Sequence, residues 1–552
     1  MSSVLLIIQS LLILITTHLA CRVVQRVLRK SPLDNLPGPA PAPWLMGHLP
    51  QWLDRHGSEF QRQIAQDYGP IVKMQSMMGK PLLYVYDLRA LNTVLIKQQT
   101  IYEEEEIFIK ANILTFGPGL LSVVGDQHRK QRKMLKPAFS AAHMRNLLPI
   151  FYNITDKARF SLLRDALIER VRDGPKELDV LTWMSRTALE VIAQGGIGVS
   201  VDPLTKDVVG EYPRALKELV PTLHGLGPLR FALLIPHISE IGPAWLRRRL
   251  VELTPHQGLQ KMKGIVDGMA RESVRIYEEK KAALRQGEAE TSKQIAEGKD
   301  ILSLLMRANM AASEADKLSE DEVIAQMSLI LFAATDTTSN STARTLERLA
   351  QNEGVQARLR QELVEAQREG HMSYDELMRL PLLDATVRET LRTDPLANLV
   401  IRQPTKDVIL PLSEPIHGRD GTLIRELPIP KGTEIIIGVL GHNTNKALWG
   451  DDASEWKPER WLAPLPSALG EAPIPGVYSN LMSFLGGGRS CIGFKFSELE
   501  MSHSVCALVG VQTFKFDMAN DKPIVWNVAS VRYPTVGRES NAPEMPMKVS
   551  ML

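Results

Sequence analysis

Cysteine is scarce in this chain, where only Cys21, Cys491 and Cys506 occur among 552 residues. Three cysteines are too few for a disulfide framework in a chain of this length, so we expect the catalytic part in a reducing, cytosol-facing compartment. An excess of charge of one sign is also lacking, because 65 basic side chains stand against 63 acidic ones. No overall field favours a nucleic acid, and we expect no nucleic-acid partner.

Several short motifs of known chemistry are missing as well. The sequence has no Gly-Lys-Ser/Thr phosphate loop, no Gly-x-Ser-x-Gly elbow and no His-Glu-x-x-His pair. It also has no flavin or dinucleotide fingerprint, so electrons for a redox reaction would have to come from another protein. A folded core is well provided for, since apolar residues make up 44% of the chain, close to the average for globular proteins.

The N-terminus has the pattern of a membrane anchor. Val4 to Cys21 is a run of 18 residues without a formal charge, and basic residues follow it at positions 22, 26, 29 and 30. Basic residues only after the apolar run predict a single transmembrane helix whose C-terminal flank stays in the cytosol. A cleaved signal peptide, the alternative, would carry its basic residues first. We therefore expect a membrane anchor with its basic flank over residues 1–30.

A proline-rich segment separates this anchor from the rest of the chain. Prolines stand at positions 37, 39, 41 and 43. Because proline fixes φ and removes a backbone donor, residues 31–50 are predicted to form a stiff hinge. We find no internal repeat and no later boundary, which leaves residues 51–552 as one catalytic domain.

A long helix is predicted within that domain. Ser319 and Glu322 form a capping box, and no glycine or proline interrupts the chain from Glu320 to Glu353. Its centre reads ILFAATDTTSNST, where apolar residues give way to Asp336 and other polar residues. A buried aspartate without a partner is costly, so this stretch is either solvated on one helix face or kept for chemistry.

A second helix is expected between prolines 381 and 395. Glu389 and Arg392 are three residues apart and share one face of it. The spacing alone decides nothing, because it recurs elsewhere. Two other pairs show it, Glu365 with Arg368 and Glu376 with Arg379, and these are expected to be exposed ion pairs.

The stretch FLGGGRSCIGFKFSE places Cys491 among glycines. The four glycines of this stretch are expected to clear the space around its sulfur: Gly486, Gly487, Gly488 and Gly493. Backbone N–H groups and the nearby Arg489 would then lower the pKa of the thiol and favour a thiolate. Such a thiolate is a nucleophile with a distant His partner or a metal ligand. Zinc would need three or four clustered ligands, whereas haem iron receives four donors from its porphyrin.

This stretch carries a resemblance to a known family. It is similar to the pattern F-x-x-G-x-R-x-C-x-G of the cytochromes P-450, the haem-thiolate monooxygenases, at Phe484, Gly487, Arg489, Cys491 and Gly493. The resemblance extends over nearly the whole chain. It implies a mainly α fold with a smaller β region, a long central helix over the haem, b-type haem as cofactor and Cys491 as the axial ligand of its iron.

The long helix carries a second part of the resemblance. Its centre resembles the family's oxygen-activation motif A-G-x-D-T-T, which makes Asp336 and Thr337 the expected catalytic pair. A carboxylate beside a hydroxyl is suited to delivering protons to bound oxygen. Ala334 stands where the family prefers glycine, and its methyl group could narrow the pocket or alter the helix there.

A structural triad is implied next. Glu389 and Arg392 match the family's E-x-x-R motif, and Arg460 in KPERW matches P-E-R-F, with Trp461 in place of its Phe. In the family these three charged residues form a buried triad. The resemblance thus selects one of the three Glu-x-x-Arg pairs.

Four basic side chains are expected to bind the carboxylates of the haem. The segment GDQHRKQRKMLKPAFS resembles the helix with the motif W-x-x-x-R. His128 stands in place of the Trp, and Arg132 stands at the position of the Arg. By resemblance both reach a propionate, as would Arg402. Arg489 would add a further guanidinium, whose planar fork suits a carboxylate.

The implied function is a monooxygenase that hydroxylates a small molecule with O2. The family's membrane members lie in the endoplasmic reticulum, face the cytosol and take electrons from an NADPH-dependent reductase. A basic run is either the docking face of that reductase or a solvated helix side: Arg129, Lys130, Lys133 and Lys136.

Four stretches lie where family members line the substrate pocket: residues 115–125, 329–332, 396–401 and 527–534. They are largely aliphatic and favour a lipophilic substrate, for which we prefer a terpenoid of secondary metabolism. Three alternatives remain. They are a reductase-independent isomerase or dehydratase of the same fold, a haem-free hydrolase with Cys491 as nucleophile, and a non-catalytic membrane scaffold.

Overall fold

A computed structural model gives the fold of this chain. It describes residue 17 and residues 31–155, 162–202, 204, 211–226, 242–286, 299–368, 370–510, 514–519 and 521–552. The anchor expected over residues 1–30 therefore lies outside the described residues, apart from residue 17. In the part of the chain that the structure describes, no helix is both long and apolar enough to cross a bilayer.

Helices make up most of the described chain, and a smaller part is β-strand, as expected. The helices are α1 (Leu49–Trp52), α2 (Ser58–Asp67), α3 (Leu88–Asn92), α4 (Glu106–Phe116), α5 (Gly125–Leu135), α6 (Ala141–Thr155), α7 (Leu162–Val171), α8 (Val180–Ile192), α9 (Glu211–Gly225), α10 (Ala244–Leu253), α11 (Gln257–Gln286), α12 (Ile301–Ala311), α13 (Glu320–Gln351), α14 (Glu353–Ala366), α15 (Tyr374–Leu377), α16 (Pro381–Thr393), α17 (Val439–Asn443), α18 (Lys446–Trp449), α19 (Ser467–Glu471) and α20 (Phe494–Val509).

The strands form small sheets around this helical body. They are β1 (Ile71–Gln75), β2 (Pro81–Val85), β3 (Tyr102–Glu104), β4 (Lys176–Asp179), β5 (Ile401–Pro404), β6 (Val408–His417), β7 (Leu423–Ile429), β8 (Glu434–Ile437), β9 (Gly476–Tyr478), β10 (Leu481–Gly486), β11 (Phe514–Met518), β12 (Ile524–Asn527), β13 (Tyr533–Val536) and β14 (Pro546–Met551). The largest sheet has the order β1-β2-β8-β5-β3, in which only β2 and β8 run parallel.

The helix α13 crosses the middle of the fold. It begins at the predicted capping box of Ser319 and Glu322 and has 32 residues, which at 1.5 Å per residue is about 48 Å. It packs against α8, α20 and β11. Its polar centre is buried rather than solvated, since Thr335, Thr338 and Asn340 are each less than 9% exposed.

The segment of residues 31–50 differs from the predicted hinge. Leu33 and Leu36 are fully buried and pack in the same hydrophobic cluster as the sheet residue Leu83. The N–H of Lys73 donates to the carbonyl of Pro37 at 2.8 Å. The prolines do prevent helix formation here, but the leucines between them bind the segment to the sheet. The packed body therefore begins well before residue 51.

Candidate functional site

Cys491 lies in a short loop between β10 and α20. Its N–H donates to the carbonyl of Phe484 at 2.9 Å, which closes the loop, and the ring of Phe484 packs between those of Tyr478 and Phe494. Gly487 has φ +72°, and a Cβ there would lie 1.8 Å from the carbonyl oxygen of Leu95. A non-glycine residue therefore cannot occupy this position without displacing the neighbouring backbone.

The role expected for the glycines is wrong in part. A Cβ on Gly486 would lie 1.9 Å from the carbonyl oxygen of Pro475, so this glycine, like Gly487, admits a neighbouring backbone segment rather than clearing the sulfur. A Cβ on Gly493 would make only an ordinary contact with Phe139 at 3.6 Å. Gly493 instead contributes a backbone hydrogen bond to the Cys491 sulfur.

The expected lowering of the Cys491 pKa is also corrected. Burial from bulk water raises the pKa of the thiol, and the Gly493 hydrogen bond and the charge of Arg132 lower it by less. The cation that acts on the sulfur is thus Arg132, not Arg489. The expectation that neighbouring protein groups lower the pKa of this thiol is therefore not met.

The Cys491 side chain opens onto a cavity of about 1100 Å³. His128, Arg132 and Arg489 line the same cavity, and so do Gly487 and the acidic residue Glu103. Three exposed members of the basic run also line this cavity, together with two further residues: Arg129, Lys133, Lys136, Gln99 and Lys495. Three of the four expected carboxylate-binding residues therefore lie around one space with the cysteine.

The three guanidiniums are held by protein groups. Arg132 donates to the carbonyl and the hydroxyl of Ser490, at 2.8 and 2.9 Å. Arg489 donates to the Val123 carbonyl at 2.8 Å. Arg402 is 2% exposed; its Nη1 donates to Glu104 Oε2 at 2.6 Å, whereas its Nη2 has no hydrogen-bond partner among the described residues.

Among the described residues that line the Cys491 cavity, His128 is the one histidine, and it is therefore the candidate partner for a nucleophilic thiol. Burial lowers its pKa to about 3, with further lowering by the charges of Arg489, Arg132 and Arg402. It is therefore neutral at pH 7 and a weak base. This environment disfavours the Cys–His nucleophile and suits a neutral hydrogen-bond donor.

The structure brings Glu389, Arg392 and Arg460 together. Glu389 and Arg392 form a fully buried ion pair, and Arg460 Nε lies 3.4 Å from Glu389 Oε1. Trp461 Nε1 donates to Glu389 Oε2 at 2.9 Å. The tryptophan that replaces the family's Phe thus adds a hydrogen bond which Phe cannot make, a contact that the motif comparison missed. The exposed pair of Glu365 and Arg368 is 3.9 Å apart, as expected for a surface contact.

Asp336 and Thr337 are adjacent residues of α13 whose side chains make different contacts. Asp336 and Thr335 line a second cavity, of about 850 Å³, together with Lys217 of α9. Thr337 Oγ1 donates to the Ala333 carbonyl at 2.6 Å, one turn back in the helix. The structure therefore places the carboxyl group in a cavity apart from the one that holds Cys491.

The carboxyl group of Asp336 is unusually basic. Burial raises its pKa to about 6, while the charge of Lys217 and a hydrogen bond from Asn340 act in the opposite direction. Asn340 lies four residues on in the same helix and could have been found from spacing. Lys217 lies on a distant helix, and no local signal in the sequence points to it.

The residues around Cys491 fit a haem. One cysteine faces a cavity large enough for a ligand of this size, and the lining supplies guanidinium and imidazole groups suited to two carboxylates. The buried Nη2 of Arg402 is a further donor that has no acceptor among the described residues.

Comparison with known proteins agrees with this fit. The profile of the cytochrome P-450 family matches residues 37–528. Cytochrome P-450 monooxygenase 81 of Postia placenta is 51% identical over 96% of this chain and 95% of its own length. Monooxygenase 219 of the same fungus is 50% identical over 98% and 99%. A ganoderic acid synthetase of Ganoderma lucidum is 44% identical over 96% of each. The chain therefore belongs to the cytochrome P-450 family and is a monooxygenase.

Proposed function

We propose that this monooxygenase binds b-type haem through Cys491 and hydroxylates a lipophilic small molecule of secondary metabolism, using O2 and electrons from an NADPH-dependent reductase. The observation that supports it most is the cavity in which a single thiol faces His128, Arg132 and Arg489. A bound haem with a cysteinate ligand supplies the activation of O2.

The chain's own residues have separate tasks in this proposal. His128 and the three guanidiniums bind the porphyrin carboxylates, with Phe484, Gly487 and Gly493 shaping the loop that presents Cys491. Glu389 with Arg392 and Arg460 fixes the segment before that loop. These tasks follow from buried charge and planar guanidinium geometry.

Asp336 and Thr337 are proposed as the proton-delivery pair. The pKa of Asp336, at about 6, lies near physiological pH, which suits a group that takes up and gives away a proton. The carboxyl group lies in the cavity of α9 and collects protons there. The Thr337 hydroxyl is at the next position of the helix and donates to the Ala333 carbonyl, so the proton passes between two neighbouring residues of α13.

The rim of the Cys491 cavity is proposed as the docking face for the reductase. Arg129, Lys133 and Lys136 are exposed and lie at the edge of the cavity that opens onto the thiol. Lys133 makes a solvent-exposed contact with Asp316, at 3.6 Å. Positive charge close to the cofactor favours encounter with an acidic electron-transfer surface.

The substrate is proposed to be a terpenoid. The predicted pocket segments come together in two pairs: the ring of Phe116 lies 5.1 Å from that of Phe332, and the N–H of Arg532 donates to Leu396 O. The four segments as a whole are largely aliphatic, which favours a lipophilic molecule. The relative named as a ganoderic acid synthetase supports this substrate class.

We also propose that residues 1–30 anchor the enzyme in the endoplasmic reticulum membrane, with the catalytic domain facing the cytosol. The uncharged run with basic residues on its C-terminal side supports this orientation. The reductase would then meet its docking face at the same membrane surface.

Reconstituted turnover with ¹⁸O-labelled O2 tests the proposed reaction. The full-length protein is mixed with an NADPH-dependent cytochrome reductase, NADPH and a panel of terpenoids. We expect one ¹⁸O atom in the product and no product without the reductase. Conversion of a peroxide substrate without NADPH would instead support the isomerase or dehydratase. An oxidised product that contains no ¹⁸O would refute the monooxygenase reaction.

A further inference from the structure

A carboxylate at the end of β3 pairs with one of the guanidiniums expected to bind the haem. Glu104 lies directly opposite Arg402 in the antiparallel pair of β3 and β5. Its Oε2 accepts a hydrogen bond of 2.6 Å from Arg402 Nη1, and the two side chains are 11% and 2% exposed. The strand register therefore fixes this pair in place.

The neighbouring residue makes a weaker contact. Glu103 Oε2 lies 3.4 Å from Arg489 Nη2, and its side chain is 23% exposed. Arg489 is also held by the Val123 carbonyl at 2.8 Å. Because it is longer and better solvated, the Glu103 contact contributes less than that of Glu104.

The three guanidiniums and the two glutamates form a charged cluster whose charges are only partly balanced. Burial, together with the charges of Arg489, Arg132 and Arg402, lowers the pKa of His128 to about 3, so this histidine is neutral. Two carboxylates stand against three guanidiniums, so the cluster keeps positive charge for an incoming acidic group. Arg402 Nη1 donates to Glu104, whereas Nη2 is buried and has no hydrogen-bond partner among the described residues.

We propose that Glu104 is a positioning residue for the cofactor: it holds the buried Arg402 so that Nη2 remains available to donate to a carboxylate of the porphyrin. This inference rests on the proposed haem binding at Cys491. An arginine held by a carboxylate on one side keeps its planar fork in one orientation. The carboxylate also compensates a charge that would otherwise be buried alone.

Haem transfer from the full-length holoprotein to excess apomyoglobin tests this role. Glu104→Gln keeps the shape of the side chain and removes its charge, and Glu103→Gln is the matched control. We expect E104Q to accelerate haem loss by about tenfold or more, the range for loss of a partner that orients a ligand, and E103Q to change it much less. An unchanged rate in E104Q would overturn the proposal.

A cycle with Arg402→Gln shows whether Glu104 acts through Arg402. We expect E104Q to accelerate haem loss in the wild-type background and to have no further effect in the R402Q background. Equal acceleration in both backgrounds would overturn the proposal. If E104Q does not retain haem, the double variant, which removes both buried charges, should recover it, and failure to recover would count against the role.

The wild-type protein separates this inference from the proposed function. If its reduced CO complex lacks the band of a cysteinate-bound haem, the haem proposal fails and this inference falls with it. If the band is present and the cycle is additive, only the positioning role of Glu104 is refuted.

Discussion

Glu389 accepts two hydrogen bonds of 2.8 Å from the guanidinium of Arg392, and neither side chain is exposed to solvent. Arg392 donates in turn to the carbonyl of Asn443 at 2.8 Å. The side chain of Asn443 accepts from the N–H of Met482 at 2.9 Å, in the strand that leads into the Cys491 loop. One buried ion pair thus connects α16 with the segment that presents the cysteine.

Replacing Glu389 with Ala is expected to destabilise the fold by about 3–5 kcal/mol, because it leaves the charge of Arg392 buried without a partner. The matched control is Glu365→Ala, which removes the same Glu-x-x-Arg spacing from an exposed pair and should cost less than about 1 kcal/mol. Denaturant unfolding of the purified proteins measures both. Similar stability of the two variants would contradict a structural role for the buried pair.

Thr337→Ala should leave haem binding intact and divert reducing equivalents to hydrogen peroxide. Loss of a proton-transfer group costs about 100-fold or more in the step that it serves. The check is the share of NADPH electrons recovered as peroxide in the reconstituted system. Thr335→Ala is a matched control, because Thr335 Oγ1 makes the same 2.6 Å bond to a carbonyl one turn back in the same helix. Coupled turnover by T337A would contradict the assigned role.

Asp336 should make stability fall as the pH rises through about 6. Its pKa is raised by burial from 3.8 to about 6, so the folded protein holds this proton more tightly than the unfolded chain, and the stability gained at low pH is lost once Asp336 ionises. Between pH 5 and pH 7 the wild type should lose about 1 kcal/mol more than Asp336→Asn. Urea unfolding at the two pH values measures this. Parallel pH dependence of the two proteins would mean that the carboxyl group is not perturbed.

Charge reversal at the cavity rim should weaken reductase docking. Lys133→Glu is expected to lower the rate of electron transfer at low salt, with a smaller difference at high salt, because rim charges act mainly on the rate of encounter. The CO spectrum should not change. Lys406→Glu, at an exposed lysine outside the rim, is the control. An equal loss of rate in both variants would indicate a general charge effect and not a docking face.

Local signals in the sequence predicted the parts of the site that depend on short spacing. The capping box at Ser319 gives the start of α13, whereas the Glu389–Arg392 pair was selected among three pairs of the same spacing by the family resemblance. The mainly α fold with a small β part was predicted through the resemblance and is confirmed. The capping box and the geometry of the ion pair depend only on neighbours within one helical turn.

Features that depend on tertiary contacts were not predicted. Lys217 acts on Asp336 from a distant helix, and Glu104 meets Arg402 only because β3 and β5 pair in one register. The glycines around Cys491 were given the wrong reason, since the backbone of Leu95 that Gly487 admits belongs to a distant part of the chain. Packing of residues 31–50 was missed because proline content predicts stiffness and says nothing of burial.

The central claim is that Cys491 binds haem iron as a thiolate, and the absorption difference spectrum of the dithionite-reduced protein with and without carbon monoxide tests it most directly. We expect a strongly red-shifted Soret band in the wild type and its loss in Cys491→Ala, with Cys506→Ala, a change at a buried cysteine outside the cavity, as control. A band typical of a neutral ligand in the folded wild type, or no band at all, would contradict the account.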